Sequence, residues 1–223
     1  MGALASFWDR LLDLLYPPRC LGCGALNHWL CPACLASCPN TDEPRLVPVD
    51  ANNASWRLPV YSFTVHQGVA REAVHALKYE GRRVLAGPMA RCLADCLPEG
   101  YRGARLVLGV PLHDRRRRER GYNQSELLAR ALAAEAGLPA VSESVKRVRA
   151  TPPQVGLSAR ERVDNVRGAF LADERVRGER VLLVDDVCTT GATMAACAAA
   201  VAMAGGEVVA GVTFTRARAG ADS

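Results

Sequence analysis

The chain has 223 residues, a net charge of +5, and 49% hydrophobic and 23% charged residues. This length suffices for one full-sized domain with a small appendage, and the composition is ordinary for a soluble globular protein. Its apolar runs are shorter than the roughly 20 residues that a membrane-spanning helix needs, so we expect no membrane insertion and a cytoplasmic location.

Residues 1–18 predict a short amphipathic helix that docks on its own chain. Apolar residues recur at helical spacing until Pro17 and Pro18 end the pattern. Asp9 and Asp13 interrupt the apolar run, and no basic start or cleavage site frames it, so we do not expect a signal peptide. A membrane anchor is the weaker alternative.

Residues 19–38 predict a zinc-binding segment. Four cysteines form two C-x2-C pairs separated by seven residues: Cys20, Cys23, Cys31 and Cys34. Two such pairs can present four thiolates to one tetrahedral metal ion, which favours structural zinc because no ligand position stays open for catalysis. Disulfides are the alternative, and His28 is a possible substitute ligand. Cys38 has no assigned role.

Residues 56–218 predict one α/β domain, preceded by a linker over 39–55 that is rich in Pro, Asn and Asp. Aliphatic strands alternate with helices, which is typical of a parallel sheet covered on both faces. The predicted strands are 57–63, 105–112, 180–187 and 207–216, and the predicted helices are 68–81, 85–97, 124–138 and 191–206.

Two loops at the carboxyl ends of predicted strands carry unusual chemistry. One holds "RRRRER", five arginines within Arg115–Arg120, and guanidinium groups attract phosphates. The other is "DDVCTTGAT", residues 185–193. Ligands of parallel sheets collect at this edge, so we expect both loops to face one site. A solvated basic turn is the ordinary alternative for the arginine run.

The "DDVCTTGAT" segment predicts a site for a ribose 5-phosphate. Small residues around Gly191 expose backbone N–H groups where a helix begins, which favours a phosphate. Asp185 and Asp186 suit sugar hydroxyls, and a divalent cation near the diol would relieve their repulsion. A strand-to-helix turn with acidic capping is the purely structural alternative. A receiver-type acidic pocket is disfavoured because only 36 residues follow Val187.

The sequence resembles a known family at these residues. "VLLVDDVCTTGAT" resembles the phosphoribosyl pyrophosphate signature of type I phosphoribosyltransferases. Together with "VPLHDRRRRERGYNQSELLA", "TPPQVGLSARERVDNVRGAF" and the cysteine pairs, it is similar to the ComF/GntX family of competence-associated phosphoribosyltransferase-like proteins. The resemblance implies a parallel-sheet type I phosphoribosyltransferase fold with a small N-terminal zinc-binding segment.

The resemblance also implies roles for individual residues. Asp185 and Asp186 would hold the ribose hydroxyls with Mg²⁺ between diol and pyrophosphate, and Arg120 would join them as a catalytic residue. Residues 147–170 would form a hood, with Gln154, Leu157, Arg160 and Asn165 matching the family pattern. The 5′-phosphate and pyrophosphate would be bound by Thr189, Thr190, Gly191, Ala192, Thr193, Arg116, Arg118 and Gly121.

The implied function is binding of phosphoribosyl pyrophosphate or a related ribose phosphate, with a part in DNA uptake or the use of external DNA. As an enzyme, the chain would be a phosphoribosyltransferase whose acceptor no motif identifies. The alternative is a non-catalytic competence protein that binds single-stranded DNA and works with the DNA-uptake machinery. Lys78 matches a family position, although capping of a helix C-terminus explains it equally well. His66 is isolated and has no predicted role.

Overall fold

The computed structural model describes residues 17–101, 103–139, 143–149, 166 and 168–218. Most of the helix expected over 1–18, and the hood residues Gln154, Leu157, Arg160 and Asn165, lie outside these residues. Across the part of the chain that the structure describes, no helix is long and apolar enough to cross a membrane.

A five-stranded sheet forms the centre of the fold. Its strands are β1 (Arg45–Ala51), β2 (Ala54–Val65), β3 (Leu106–Gly109), β6 (Arg180–Cys188) and β7 (Glu207–Arg216), in the order β1-β2-β7-β6-β3. The pairs β2–β7, β7–β6 and β6–β3 are parallel, and only β1 runs antiparallel to its neighbour. This confirms the expected α/β fold with a parallel sheet. A separate hairpin pairs β4 (Val145–Arg147) with β5 (Phe170–Ala172).

Helices cover both faces of the sheet and create two apolar cores. The helices are α1 (Pro32–Ala36), α2 (Gly68–Tyr79), α3 (Ala86–Asp95), α4 (Asp114–Arg120), α5 (Gln124–Ala136) and α6 (Ala192–Met203). The buried residues of α2, α3 and α5 pack with Leu182 and Val184 of β6. Those of α6 pack with Val181 and Leu183 on the opposite face. This division follows from the two-residue repeat of β6, whose successive side chains point to opposite faces.

The structure differs from the linker expected over 39–55. Residues 45–51 form β1, in which Val47 and Val49 are buried against the sheet while alternate residues face outward. Asn52 and Asn53 have positive φ and connect β1 to β2 as a tight hairpin turn. Pro48 is tolerated because β1 lies at the edge of the sheet. The proline and asparagine residues that suggested a linker therefore belong to an edge strand and to the turn that follows it.

Candidate functional site

The candidate site lies at the edge of the sheet where β3 and β6 end side by side. The two strands are parallel, and Gly109 at the end of β3 lies opposite Val184 of β6. The segments 110–123 and 189–191 therefore emerge at the same edge. This arrangement places the arginine-rich segment near the bend that precedes α6.

The adjacent carboxylates of Asp185 and Asp186 have different partners. Asp186 follows the alternation of Leu182 and Val184 and falls on the face covered by α2. The ion pair of Asp186 agrees with this placement, because its partner, Lys78, belongs to α2. Asp185 instead lines a cavity together with residues of α6.

Asp185 lies beside the bend, and its carboxylate accepts two hydrogen bonds. Its Oδ1 accepts from Ser125 Oγ at 2.7 Å and from the backbone N–H of Asp186 at 2.9 Å. Burial, followed by the charge of Asp186, raises the pKa of Asp185 from its ordinary 3.8 to about 7, although the Ser125 hydrogen bond and Lys78 oppose the shift. Asp185 can therefore exchange a proton near neutral pH.

Asp186 forms a buried ion pair with Lys78. Its Oδ2 is 2.8 Å from Lys78 Nζ, and the Asp186 side chain is 3% exposed while that of Lys78 is 20% exposed. Burial lowers the pKa of Lys78, but the charge and hydrogen bond of Asp186, aided by Asp185, outweigh it and raise the pKa above its ordinary value. The two predicted diol ligands thus have different surroundings, one a cavity and the other an ammonium group.

His66 also belongs to this edge, although no sequence pattern singled it out. Its Nδ1 lies 2.8 Å from Thr215 Oγ1, and Thr215 Oγ1 donates to the backbone carbonyl of Asp186 at 3.4 Å. Burial lowers the pKa of His66 and the charge of Lys78 lowers it further, whereas Asp186 acts in the opposite direction. We therefore expect His66 to be neutral and to support the strand ends.

The bend from Thr189 to Gly191 leads into α6, and Gly191 itself has no side chain that could cap the helix. The N–H groups at the start of a 12-residue helix attract anions. Thr190 Oγ1 accepts from the backbone N–H of Ala192 at 3.3 Å. The cavity beside the bend has a volume of about 20 Å³, room for a water, so a phosphate has to lie at its mouth or widen it. Four of the predicted phosphate-binding residues line it: Thr189, Gly191, Ala192 and Thr193.

Gly191 is required by the fold independently of any ligand. Its φ of +86° favours glycine, and a β-carbon there would overlap the side chain of Val47. Val47 belongs to β1, the strand that the sequence predicted as linker. The edge strand thus packs directly against the bend of the candidate site.

The arginine-rich segment is the seven-residue helix α4, whereas the sequence predicted a loop. His113 Nδ1 accepts from the backbone N–H of Arg115, and Gly121 ends the helix with a φ of +80°. Helix geometry distributes successive side chains around the axis, so the five guanidinium groups do not converge on one point. Arg115 also pairs with Glu119 at 2.9 Å.

The predicted arginine ligands have separate surroundings. Arg116 and Arg118 are exposed on α4. Arg120 points toward the end of α2, where its guanidinium lies 5.3 Å from the ring centroid of Tyr79, and it donates a hydrogen bond to Gln124. Arg120 is therefore held by neutral partners.

Arg147, at the end of β4, lies near the site. The sequence indicated it only as the first residue of the predicted hood. Its guanidinium is 5.4 Å from the ring centroid of Phe170, and its backbone bridges that of His113. Burial lowers the pKa of Arg147, and Arg116 lowers it further, while Asp185 acts in the opposite direction. Arg116 and Arg147 therefore bring two positive charges within electrostatic range of each other, and Arg147 also interacts with Asp185.

A larger cleft of about 420 Å³ opens beside α4. Its walls include Arg117 of α4, Glu126 of α5 and Arg147 of β4, and Arg117 lies 3.8 Å from Glu126. This volume falls within the range of small-molecule sites in proteins. The cleft can therefore hold a ligand larger than the cavity at the bend admits.

An exposed tyrosine lies among the basic residues of the same edge. Tyr79 is 68% exposed, and the His75 ring lies 5.0 Å from its ring, centroid to centroid, in addition to the contact with Arg120. Nearby, the guanidinium of Arg83 lies 4.4 Å from the ring centroid of the buried Tyr122. The tertiary structure thus places an accessible aromatic ring beside the arginine-rich helix, which the linear sequence did not show.

The four predicted zinc ligands form one cluster. The sulfur atoms of Cys20, Cys23, Cys31 and Cys34 all lie within 4.8 Å of one another. Tetrahedral zinc with bonds of about 2.3 Å holds sulfurs about 3.8 Å apart, so the residues fit the metal. Burial raises the pKa of Cys20, but hydrogen bonds from the backbone N–H groups of Cys23, Cys31 and Gly22 outweigh it and lower the pKa to about 6. This supplies a thiolate for a cation.

The cysteine cluster is packed against the start of α2. A β-carbon at Gly22 would lie 2.9 Å from Cys34 Sγ and 3.0 Å from Val69 of α2. Leu30 is buried in the core beneath α2 and α3, and Leu21 and Trp29 pack against that core. The segment therefore adds to the domain core instead of standing apart from it.

Comparisons with known proteins match most of the chain. The model of the phosphoribosyl transferase domain matches residues 83–222. DNA utilization protein YhgH of Salmonella typhimurium is 34% identical over 189 residues, which cover 77% of this chain and 83% of that protein. YhgH of Escherichia coli K12 is 39% identical over 127 residues, covering 55% and 56%. Competence protein F of Haemophilus influenzae is 34% identical over 129 residues, covering 54% and 56%.

Proposed function

Because this chain belongs to the phosphoribosyl transferase domain family, within the ComF group that includes YhgH and Competence protein F, we propose that it binds phosphoribosyl pyrophosphate with Mg²⁺. The binding site is the carboxyl edge of the sheet, and the cellular role is the uptake or use of external DNA.

One observation carries the ligand proposal: Asp185 and the start of α6 line the same cavity. Helix N–H groups favour a terminal phosphate, and a carboxylate a few residues away favours sugar hydroxyls. A pentose phosphate carries both groups at opposite ends. The same geometry suits no purely apolar ligand.

The residues around Asp185 also suit a pyrophosphate. Arg147 interacts electrostatically with Asp185 and with Arg116, and these two guanidinium groups could neutralise the leaving group as the ribose–oxygen bond breaks. Mg²⁺ binds through one or two carboxylates together with phosphate oxygens, and Asp185 with the ligand would supply that set. When bound, the ion would contribute charge neutralisation of the pyrophosphate.

As a transferase, the chain would need room for an acceptor near the sugar. We place the acceptor in the cleft lined by Arg117, Glu126 and Arg147. Its mixed polar lining indicates a small polar molecule and not a lipid.

Calorimetry with phosphoribosyl pyrophosphate and Mg²⁺ tests the ligand proposal. We expect saturable binding by the wild type and a loss of about tenfold or more in affinity for Asp185→Asn, because a charge-assisted contact to the sugar is removed. Asp173→Asn, on the exposed carboxylate that pairs with Arg175, is the matched control and should bind as the wild type does. Absence of binding by the wild type would rule out the proposal.

Single-stranded DNA binding is a second candidate function, favoured by Tyr79. The ring is exposed beside Arg120 and the arginine-rich helix. Bases stack on such rings while arginines contact the backbone. This function does not require turnover of a sugar phosphate.

DNA binding measured over a salt series tests the second candidate. We expect Tyr79→Ala to weaken single-stranded DNA binding about tenfold. Arg115→Ala/Arg116→Ala/Arg118→Ala should reduce the salt slope by about 2. The control triple variant, Arg57→Ala/Arg105→Ala/Arg180→Ala, removes the same charge elsewhere on the surface. Equal slopes for the two triple variants would exclude α4 as the DNA contact.

For the cysteine cluster we propose structural Zn²⁺, bound by residues 19–38. Support comes from the convergence of four sulfurs and from a backbone that lowers the pKa of Cys20. Four thiolates leave no open coordination position, so the ion would have no direct part in catalysis.

A further inference from the structure

Lys78 is one of two lysines among 28 basic residues, and its position is unusual. It lies in the last turn of α2, and its ammonium group is 2.8 Å from Asp186 Oδ2. In this arginine-rich chain, the group beside the Asp186 carboxylate is therefore the compact ammonium of Lys78 and not a planar guanidinium group.

Lys78 is held in place from two sides. The preceding residue, Leu77, is fully buried in the core, and its backbone carbonyl accepts a hydrogen bond from the hydroxyl of Tyr122. Tyr122 follows the arginine-rich helix directly, so this bond ties the last turn of α2 to the segment beside the candidate site. The backbone beside Lys78 is thus anchored in the core, and the contact with Asp186 holds its ammonium group.

Two carboxylates lie within electrostatic range of Lys78. Its ammonium interacts with Asp186 most strongly and with Asp185 and Tyr79 beyond it, and His66 faces the same group. Asp186 is nearly inaccessible and makes the direct contact with Lys78, whereas Asp185 also interacts with Arg147. A buried carboxylate without a counter-ion is strongly unfavourable, so Asp186 either keeps a cation beside it or binds a proton.

We propose that Lys78 is the built-in counter-ion of Asp186 and occupies the place that a divalent cation would otherwise take beside this carboxylate. Taking this edge as the sugar-phosphate site of the proposed function, Lys78 is a positioning residue that keeps Asp186 turned away from the ligand. Asp185 is then the carboxylate that meets the sugar. A divalent cation and Lys78 compete for Asp186. In the absence of a sugar phosphate, Lys78 is the cation that lies beside this carboxylate.

Binding of Mn²⁺ without any sugar phosphate tests this inference, using paramagnetic resonance of the free ion. We expect Lys78→Met to gain one Mn²⁺ site with an affinity at least about tenfold above that of the wild type, because removal of the ammonium exposes Asp186 to the cation. Lys146→Met, the same substitution at the exposed second lysine, should bind as the wild type does. Equal Mn²⁺ affinity of Lys78→Met and wild type would overturn the inference.

Two further variants keep the test decisive if Lys78→Met folds poorly. Lys78→Met/Asp186→Asn removes both charges, so it should fold better than the single variant and lose the new Mn²⁺ site. Lys78→Arg keeps a cation and should gain no site. A double variant that binds Mn²⁺ as tightly as Lys78→Met would show that the ion does not bind Asp186.

The outcome is separate from that of the proposed function, because Mn²⁺ is measured without phosphoribosyl pyrophosphate. A wild type that binds no sugar phosphate would remove the proposed function and leave the counter-ion role standing. If the wild type binds the sugar phosphate and Lys78→Met gains no Mn²⁺ site, the counter-ion role would be removed and the proposed function would stand.

Discussion

The cysteine cluster and the carboxyl-edge site are assembled in different ways. The cluster draws its four ligands from fifteen consecutive residues, Cys20 to Cys34. The edge site draws Lys78, Ser125, Arg147 and Asp185 from four separated parts of the chain. Ligand spacing fixes the first locally, whereas only packing of the sheet and its helices creates the second. The first should therefore depend on its metal, and the second on the whole domain.

Metal removal should have the largest effect and tests whether the cluster is autonomous. Because a short segment relies on ligation for its stability, we expect Cys20→Ser or strong chelation to unfold residues 19–38 at a cost on the order of 5 kcal/mol or more. Hydrogen exchange should show lost protection at the backbone N–H groups of Cys31 and Cys34 and retained protection at Val184. Cys38→Ser, outside the cluster, is the control. Loss of protection throughout β6 would show that the two regions form one cooperative unit.

Gly191→Ala should have the next largest effect and tests whether the bend is fixed by the domain. The substitution combines a positive φ with overlap against Val47, so we expect a loss of about 3 kcal/mol in the free energy of unfolding, measured in urea. Gly178→Ala is a matched control, since its φ is +71° but nothing lies within 4 Å of a β-carbon there. It should lose about 1 kcal/mol. Equal losses would mean that β1 does not constrain the bend.

Asp185→Asn should have a smaller, pH-dependent effect. The folded-state pKa of about 7 lies above the ordinary 3.8, so the contribution of Asp185 to stability is present below pH 4 and is lost as the pH rises through 7. The variant should therefore unfold at about the wild-type urea concentration at pH 4 and be more stable by about 2 kcal/mol at pH 8, a figure reduced for partial solvent screening.

The same variant also connects stability with the proposed function. Asparagine keeps an Oδ1 acceptor for Ser125, so a gain in stability at pH 8 with weaker sugar-phosphate binding would show that the carboxylate is retained for a ligand. A stability difference that does not change between pH 4 and pH 8 would contradict the raised pKa of Asp185.

The fold was largely predictable because its signals are local. Aliphatic runs such as 180–187 and the alanine-rich helix that follows match β6 and α6 closely. Two segments were misread for physical reasons. Pro48 and the Asn52–Asn53 turn suggested a linker because an edge strand tolerates residues that a central strand does not. The arginine run suggested a loop, although arginine is a good helix former and His113 and Gly121 supply both ends of a helix.

By itself, the sequence determined the cysteine ligand set, the parallel sheet and the strand–bend–helix segment around Gly191, because each depends on the order and spacing of nearby residues. Only the tertiary structure decided that Asp185 and Asp186 have different partners, that Lys78 neutralises one of them, and that Tyr79 lies beside Arg120. These features depend on which faces of distant elements are packed together. That choice is made by burial of the two apolar cores, and no local pattern records it.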